Sequence, residues 1–218
     1  MPNWCSTSLS IYSTSHSEVK SLHDKLLEVI EKPFDGNVQA ANWLGNMCMH
    51  AGYTYEETIA EKAGYCRGWI QEVTNIKTNI AEGIYYFYVF VEDAWGPHIQ
   101  PFRASINKLY PNNSLKIAWI ANECGCQIYQ KFDDSGLFFS DEEYCMDCYA
   151  PDNSVYEKYP EFREGCEDYT AGQLMDIFAL PDMESVIKRA EKITEAMEDE
   201  YGEGYIYINR YEEVDSEF

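Results

Sequence analysis

The 218-residue sequence predicts an α+β protein. Residues 1–132 read as a ferredoxin-like split βαβ domain, two helices on one face of an antiparallel sheet, and residues 133–218 as an acidic α/β extension packed on it. Three observations carry this reading. Hydrophobic periodicity runs strand, helix, strand, strand, helix, strand through the first part. Of the formal net charge of −22, residues 1–132 hold −3 (13 acidic side chains, 10 basic) and residues 133–218 hold −19 (25 acidic, 6 basic). The turn-forming run Asp133-Asp134-Ser135-Gly136 falls at that change.

Residues 4–12 alternate, with Cys5, Thr7, Leu9 and Ile11 on one side and Trp4, Ser6, Ser8 and Ser10 on the other, the period of a half-buried strand. Ser15 and Glu18 form a capping box, Val19, Leu22, Leu26, Val29 and Ile30 an apolar helical stripe, and Pro33 a stop. Residues 34–65 look irregular or weakly helical, with one short helix at 55–62. Residues 66–74 make a second strand. Residues 84–92 make a third, apolar on both faces and so expected at the centre of the sheet and covered on both sides. After Trp95-Gly96-Pro97 comes a helix with Ile99, Phe102, Ile106 and Leu109 on one face, ended by Pro111. Residues 115–121 form a fourth strand, which a turn at 122–125 returns as 127–132.

In the extension, Thr170 and Gln173 cap a short helix, and Met183, Val186, Ile187, Ala190, Ile193 and Met197 line a longer one that Gly202 ends. A last strand sets Tyr205, Tyr207 and Tyr211 against Ile206 and Ile208. Residues 212–218 read as a loose tail. Repeats of 20 to 50 residues and Gly/Ser- or Pro-rich linkers are absent from the sequence.

Composition narrows the function. A hydrophobic content of 45% with 15% aromatics can bury a core. With 16 Lys and Arg against 38 Asp and Glu, direct binding to nucleic-acid phosphates or to an anionic membrane is excluded. The first nineteen residues carry no Lys or Arg and no long apolar stretch, and the longest strongly apolar run, 84–91, is too short to span a bilayer. The expectation is a soluble protein of the cytoplasm, with its eight cysteines as free thiols.

Chemistry-bearing patterns are few. Cys124-x-Cys126 and Cys145-x-x-Cys148 could close a tetrahedral zinc site, although the one-residue gap is uncommon; the alternative is small buried thiols and no cofactor. Cys145 and Cys148 could also be a redox pair, a reading that neighbouring carboxylates oppose by raising thiol pKa values. Among many carboxylate pairs only Glu92-Asp93 stands out, because it ends the buried strand next to Trp95 and could form a desolvated pocket. The alternative is a solvated strand end. His16, His23, His50 and His98 lack metal or nucleophile spacing, and neither a phosphate loop nor a calcium loop is present in the sequence. Five Trp and 18 Tyr exceed what one core needs. They lie either between sheet and extension or on a face that grips a partner.

Met1-Pro2-Asn3-Trp4-Cys5, Gly64-Tyr65-Cys66-Arg67-Gly68-Trp69, the run Phe90-Val91-Glu92-Asp93-Ala94-Trp95-Gly96-Pro97 and Asn122-Glu123-Cys124-Gly125-Cys126 resemble the YubB-type (Api-type) family over roughly residues 1–150. The resemblance implies a ferredoxin-like domain encoded on phages, plasmids and integrated elements, a domain of unknown function with no site residues to carry over.

The first expectation is therefore a non-catalytic, mobile-element acidic interaction protein, which could inhibit a host nuclease, restriction or CRISPR defence enzyme by mimicking nucleic acid; the alternative is that the charge only keeps the protein soluble. Its partner surface would be Asp141, Glu142, Glu143, Asp147, Glu164, Glu167, Asp168, Glu195, Glu198, Asp199 and Glu200. The alternatives are a small-ligand enzyme or binding protein with a carboxylate pocket at Glu92, Asp93 and Trp95, and a zinc-stapled structural module.

Overall fold

The structure is a computed structural model that describes residues 3–32, 40–112, 114–163 and 165–215. It divides into two compact units, Met1–Phe138 with Val214–Phe218, and Phe139–Glu213. The division falls a few residues beyond the charge-based boundary. Between the two, Asp133 accepts backbone N–H bonds from Ser135 and Phe138 at 3.1 and 2.8 Å, so the run read as a turn is one.

Unit 1 is a mixed α+β fold with helices packed against a multi-stranded sheet. In chain order it comprises β1 (Trp4–Ser13), α1 (His16–Glu31), α2 (Leu44–His50), α3 (Tyr55–Ile59), β2 (Gly68–Val73) and β3 (Lys77–Asn79). Then follow β4 (Ile84–Ala94), α4 (Gln100–Leu109), β5 (Lys116–Glu123) and β6 (Ile128–Phe132). The antiparallel strands stand in the order β6-β5-β1-β4-β2, with β3 beside β4. This is not a simple ferredoxin-like sandwich. β6 widens the sheet, β3 adds a short pairing, and α2 occupies part of the stretch read as irregular or weakly helical, while α3 falls on the short helix expected at 55–62.

One sheet face is the core. Leu9 and Ile11 of β1, Phe87 and Val89 of β4 and Trp119 of β5 pack with Leu22 and Leu26 of α1, Leu44 and Cys48 of α2 and Phe102 and Ile106 of α4. The other face of β4 departs from expectation. Tyr86 and Tyr88 are half-buried, Phe90 and Glu92 exposed, so β4 is central but not covered on both sides. The apolar run counted aromatic residues as core, whereas here Tyr86 rests on Phe138 (ring centroids 5.3 Å) and Tyr88 on Phe90 (6.5 Å), partly open to water.

At the start of α1 the Ser15 hydroxyl accepts the Glu18 N–H at 3.4 Å, one half of the expected box. Pro33, read as its stop, lies outside the described residues. The far end is held by a residue that periodicity does not reveal. Asn46, fully buried on α2, shares its amide N–H groups among the carbonyls of Val29 (3.1 Å), Lys32 (3.2 Å) and Ala41 (2.8 Å). It thereby satisfies carbonyls that a helix terminus leaves without partners. Val214, read as loose tail, donates its N–H to the Lys131 carbonyl at 3.0 Å; residues 216–218 lie outside the described residues.

Unit 2 has a three-stranded antiparallel sheet in the order β8-β7-β9, from β7 (Glu143–Tyr149), β8 (Gly165–Thr170) and β9 (Tyr205–Arg210). Its helices are α5 (Ser154–Lys158), α6 (Ala171–Phe178) and α7 (Met183–Tyr201). Thr170 and Gln173 form a full capping box on α6, Asp182 caps α7, and Gly202 closes α7 at φ 76°. Met146, Leu174, Val186, Ile193, Met197 and Ile206 make the core. Among the described residues no helix is long and apolar enough to cross a membrane.

Replacing Asn46 by Ala should orphan buried carbonyls at the end of α1 and cost unit 1 about 1–3 kcal/mol. Chemical denaturation of wild type and variant checks this.

Candidate functional site

Glu92 and Asp93 are neighbours in sequence and opposites in space. Successive side chains of a strand point to opposite faces, and β4 runs between β1 and β2. Asp93, paired with Cys5 and Gly68, turns to the helix-covered face. Glu92, paired with Ser6 and Trp69, turns to the open one. The single pocket of Glu92, Asp93 and Trp95 expected from the sequence is therefore divided among three places.

Asp93 is fully buried. Its Oδ2 accepts a hydrogen bond from the Thr7 hydroxyl (2.9 Å) and one from the His98 backbone N–H (3.2 Å), while Oδ1 has no partner. Burial pushes its carboxyl up to about 7, against the pull of these two donors. Burial and the Asp93 charge push the Cys5 thiol up to about 12. Gly68 is required opposite. A Cβ there would lie 2.3 Å from Asp93 Oδ1 and 2.8 Å from the Glu92 carbonyl.

Trp95 follows in left-handed backbone, φ 75°, more than half exposed, with its N–H bonded to the Asn3 carbonyl at 3.0 Å. A large exposed residue in that conformation carries strain. With Gly96, Pro97, Ile99, Trp119, Ile128 and Gln130 it lines a cavity of about 240 Å³. Fully buried Trp119 has no hydrogen-bond partner for its indole N–H. His98 bonds the Ala94 carbonyl through Nε2 at 3.0 Å and stacks on Tyr65 at 5.9 Å; burial draws its pKa down.

The open face holds a wider groove of about 330 Å³, lined by Ser6, Ser8, Gln71, Phe90 and Glu92 over the strand positions Thr7 and Val91. A bulge in β2 between Ile70 and Glu72 accompanies the reach of the Gln71 amide to Glu92 Oε2, at 2.9 Å. Trp69 stands beside Glu92 at the paired position, and Trp4, 41% exposed, packs edge-on against Trp69 with ring centroids 5.2 Å apart. Phe90 is 37% exposed. None of these three aromatics is a pocket residue in the sequence reading, which places Trp95 in that role. The alternation of Trp4, Ser6 and Ser8 was the available signal, since it put one aromatic and two hydroxyls on a single face.

The four cysteines do not form the expected set. Cys124 and Cys126 lie in a 3₁₀ turn, Cys124–Cys126, and the exposed Cys126 accepts the Asn3 amide at 3.1 Å. Cys145 and Cys148, three apart on β7, project to opposite faces. Cys148 enters the core of unit 2, where burial pushes its thiol up to about 11. Cys145 instead lies with Sγ 2.9 Å from that of Cys166 on β8, and burial with Asp168 and Asp147 raises its thiol strongly. One face of this sheet therefore groups two sulfurs, one of them absent from the sequence reading.

Asp141, Glu142, Glu167, Asp168, Glu195, Glu198, Asp199 and Glu200 are exposed, Glu143 and Asp147 half-buried, and Glu164 lies outside the described residues. Glu200 pairs with Lys158, Asp168 accepts the Tyr211 hydroxyl, and burial raises Asp147.

No family model and no curated protein matches the chain. Among solved structures, the crystal structure of an unknown protein from Galdieria sulphuraria aligns over 96% of this chain and 99% of its own at 8% identity and a TM-score of 0.27. A superposition that loose carries no argument about fold or function.

The Asp93 carboxyl lies above its unfolded value, so the stability it contributes is complete below pH 3.8 and is lost as pH rises through about 7. Asp93→Asn, which cannot ionise, should gain melting temperature relative to wild type as pH climbs from about 5 to 8. Thermal unfolding of both across that range measures it, and a constant difference refutes it.

Proposed function

We propose that the protein binds a small ligand in the open-face groove of unit 1 without transforming it. The observation that carries this is the Glu92 carboxylate, anchored by Gln71 in an exposed groove with Phe90 and flanked by Trp69. Polar groups converging beside an aromatic ring in a concavity are what a small-molecule site requires. The reading is of binding rather than catalysis because Asp93, the carboxyl closest to a neutral-pH acid or base, faces the buried side away from this groove. Saturation-transfer NMR with a mixture of cationic, neutral and anionic fragments tests it. Fragments should bind, and Phe90→Ala should weaken them about fivefold, the loss of roughly 1 kcal/mol of ring contact. Absence of binding, or binding that Phe90→Ala leaves alone, defeats the proposal.

A second reading concerns unit 2. The last turn of α7 holds Glu198, Asp199 and Glu200 and no basic residue, against the helix dipole. Charge placed at a cost to the helix fits an acidic face for a basic protein, including the nucleic-acid-mimicking inhibitor of a host defence enzyme that a YubB-type mobile element would encode. DNA cleavage by purified restriction and Cas nucleases should slow in its presence at low salt and recover with Glu198→Lys/Asp199→Lys. Unimpeded cleavage throughout the panel ends this reading.

A further inference from the structure

We infer that the groove takes an organic cation, an alkylated ammonium group of the kind carried by choline or by a methylated lysine. The inference rests on the binding reading above and specifies its ligand. On the open face, paired side chains of neighbouring strands stand about 5 Å apart, so Glu92 lies within reach of both Ser6 and Trp69, and Phe90 is the next residue on the same side of β4. A carboxylate among aromatic faces attracts positive charge twice, by its own charge and by the ring quadrupoles. The same row already holds a cation one step along the strand. Lys77 Nζ sits 5.0 Å over the Tyr88 ring, which stacks on Phe90.

Other ligand classes fit less well. An anion meets Glu92 with no Lys or Arg among the residues that line the groove. An uncharged apolar molecule would strip water from that carboxylate and return no hydrogen bond. A hard metal ion wants six or more oxygen ligands and finds one carboxylate, two hydroxyls and one amide oxygen. A guanidinium is best held by both oxygens of a carboxylate, and the Gln71 amide competes for one acceptor site of Oε2. An alkylated ammonium needs no directed hydrogen bond and presents methyl groups to a ring, so one carboxylate with the Phe90 ring in the groove and Trp69 beside it suffices.

Titration of the full chain with choline chloride, with sodium chloride matched throughout, and separately with 3,3-dimethylbutan-1-ol, the uncharged molecule of the same shape, tests this by NMR chemical shifts. Choline should saturate, the alcohol should bind at least about tenfold more weakly, and Glu92→Gln should weaken choline by a similar factor with an unchanged melting temperature. Equal affinity for alcohol and choline, indifference to Glu92→Gln, or no saturation by roughly 20 mM choline overturns the assignment. If neutral or anionic fragments bind here while choline does not, the ammonium assignment fails and the binding reading stands; if nothing binds, both fail.

Discussion

Asp93 ends β4 inside unit 1 with no cation paired to it among the described residues, and several features of the sequence answer to that one buried carboxyl. An isolated ionised carboxylate in an apolar surrounding costs far more than a fold can spare, so the group shifts toward its neutral form and takes what hydrogen bonds it can. Thr7 supplies one from the paired strand and the His98 backbone the other. Gly68 leaves the room that Oδ1 occupies. The His98 bond also folds the chain back on itself five residues on, which fixes the turn that holds Trp95 in left-handed backbone and leads into α4.

The open groove depends on the same strand by parity. With Asp93 locked inward, Glu92 and Phe90 must face outward, and β4 cannot slip by one residue without exposing Asp93 and burying Glu92. The carboxylate in the groove is thus positioned by its sealed neighbour as much as by Gln71. Rigidity of this kind suits binding, since a preorganised site spends little of its interaction energy on ordering its own side chains.

Much of the fold was legible in the sequence because it obeys simple periods. Residues 4–9 alternate in burial as expected of β1, although Ser10 and Tyr12 beyond them are buried as well; Val19, Leu22, Leu26 and Val29 make the buried stripe of α1, and Thr170 with Gln173 caps α6. Failures came where long-range contacts override local pattern. The strands β7 and β8, EYCMDCY and GCEDYT, are rich in Asp, Glu and Cys and owe their conformation to pairing with neighbours rather than to propensity. The helix α2 hid because Asn46 sits on its buried face, its burial repaid by carbonyls of distant residues. At the site, Glu92, Asp93 and Trp95 were visible as residues, but their separation follows from strand parity and a left-handed turn. The partners Gln71, Trp69 and Phe90 required the register of β2 on β4.

The acidity of the chain bears on this site through its field. A net charge of −22 raises the concentration of cations near the surface and speeds their arrival. That effect is shared by every cation and falls off over about 8 Å at physiological ionic strength, so it cannot distinguish an alkylated ammonium from sodium. Discrimination has to come from contacts that a hydrated metal ion cannot use, namely ring faces that meet methyl groups and a carboxylate that demands no directed donor. Most of the charge lies in residues 133–218, whereas the aromatic groove lies in unit 1. The amount of charge therefore exceeds what one ammonium ligand needs, and the last turn of α7, where carboxylates oppose the helix dipole, is where the excess is least explained by solubility alone.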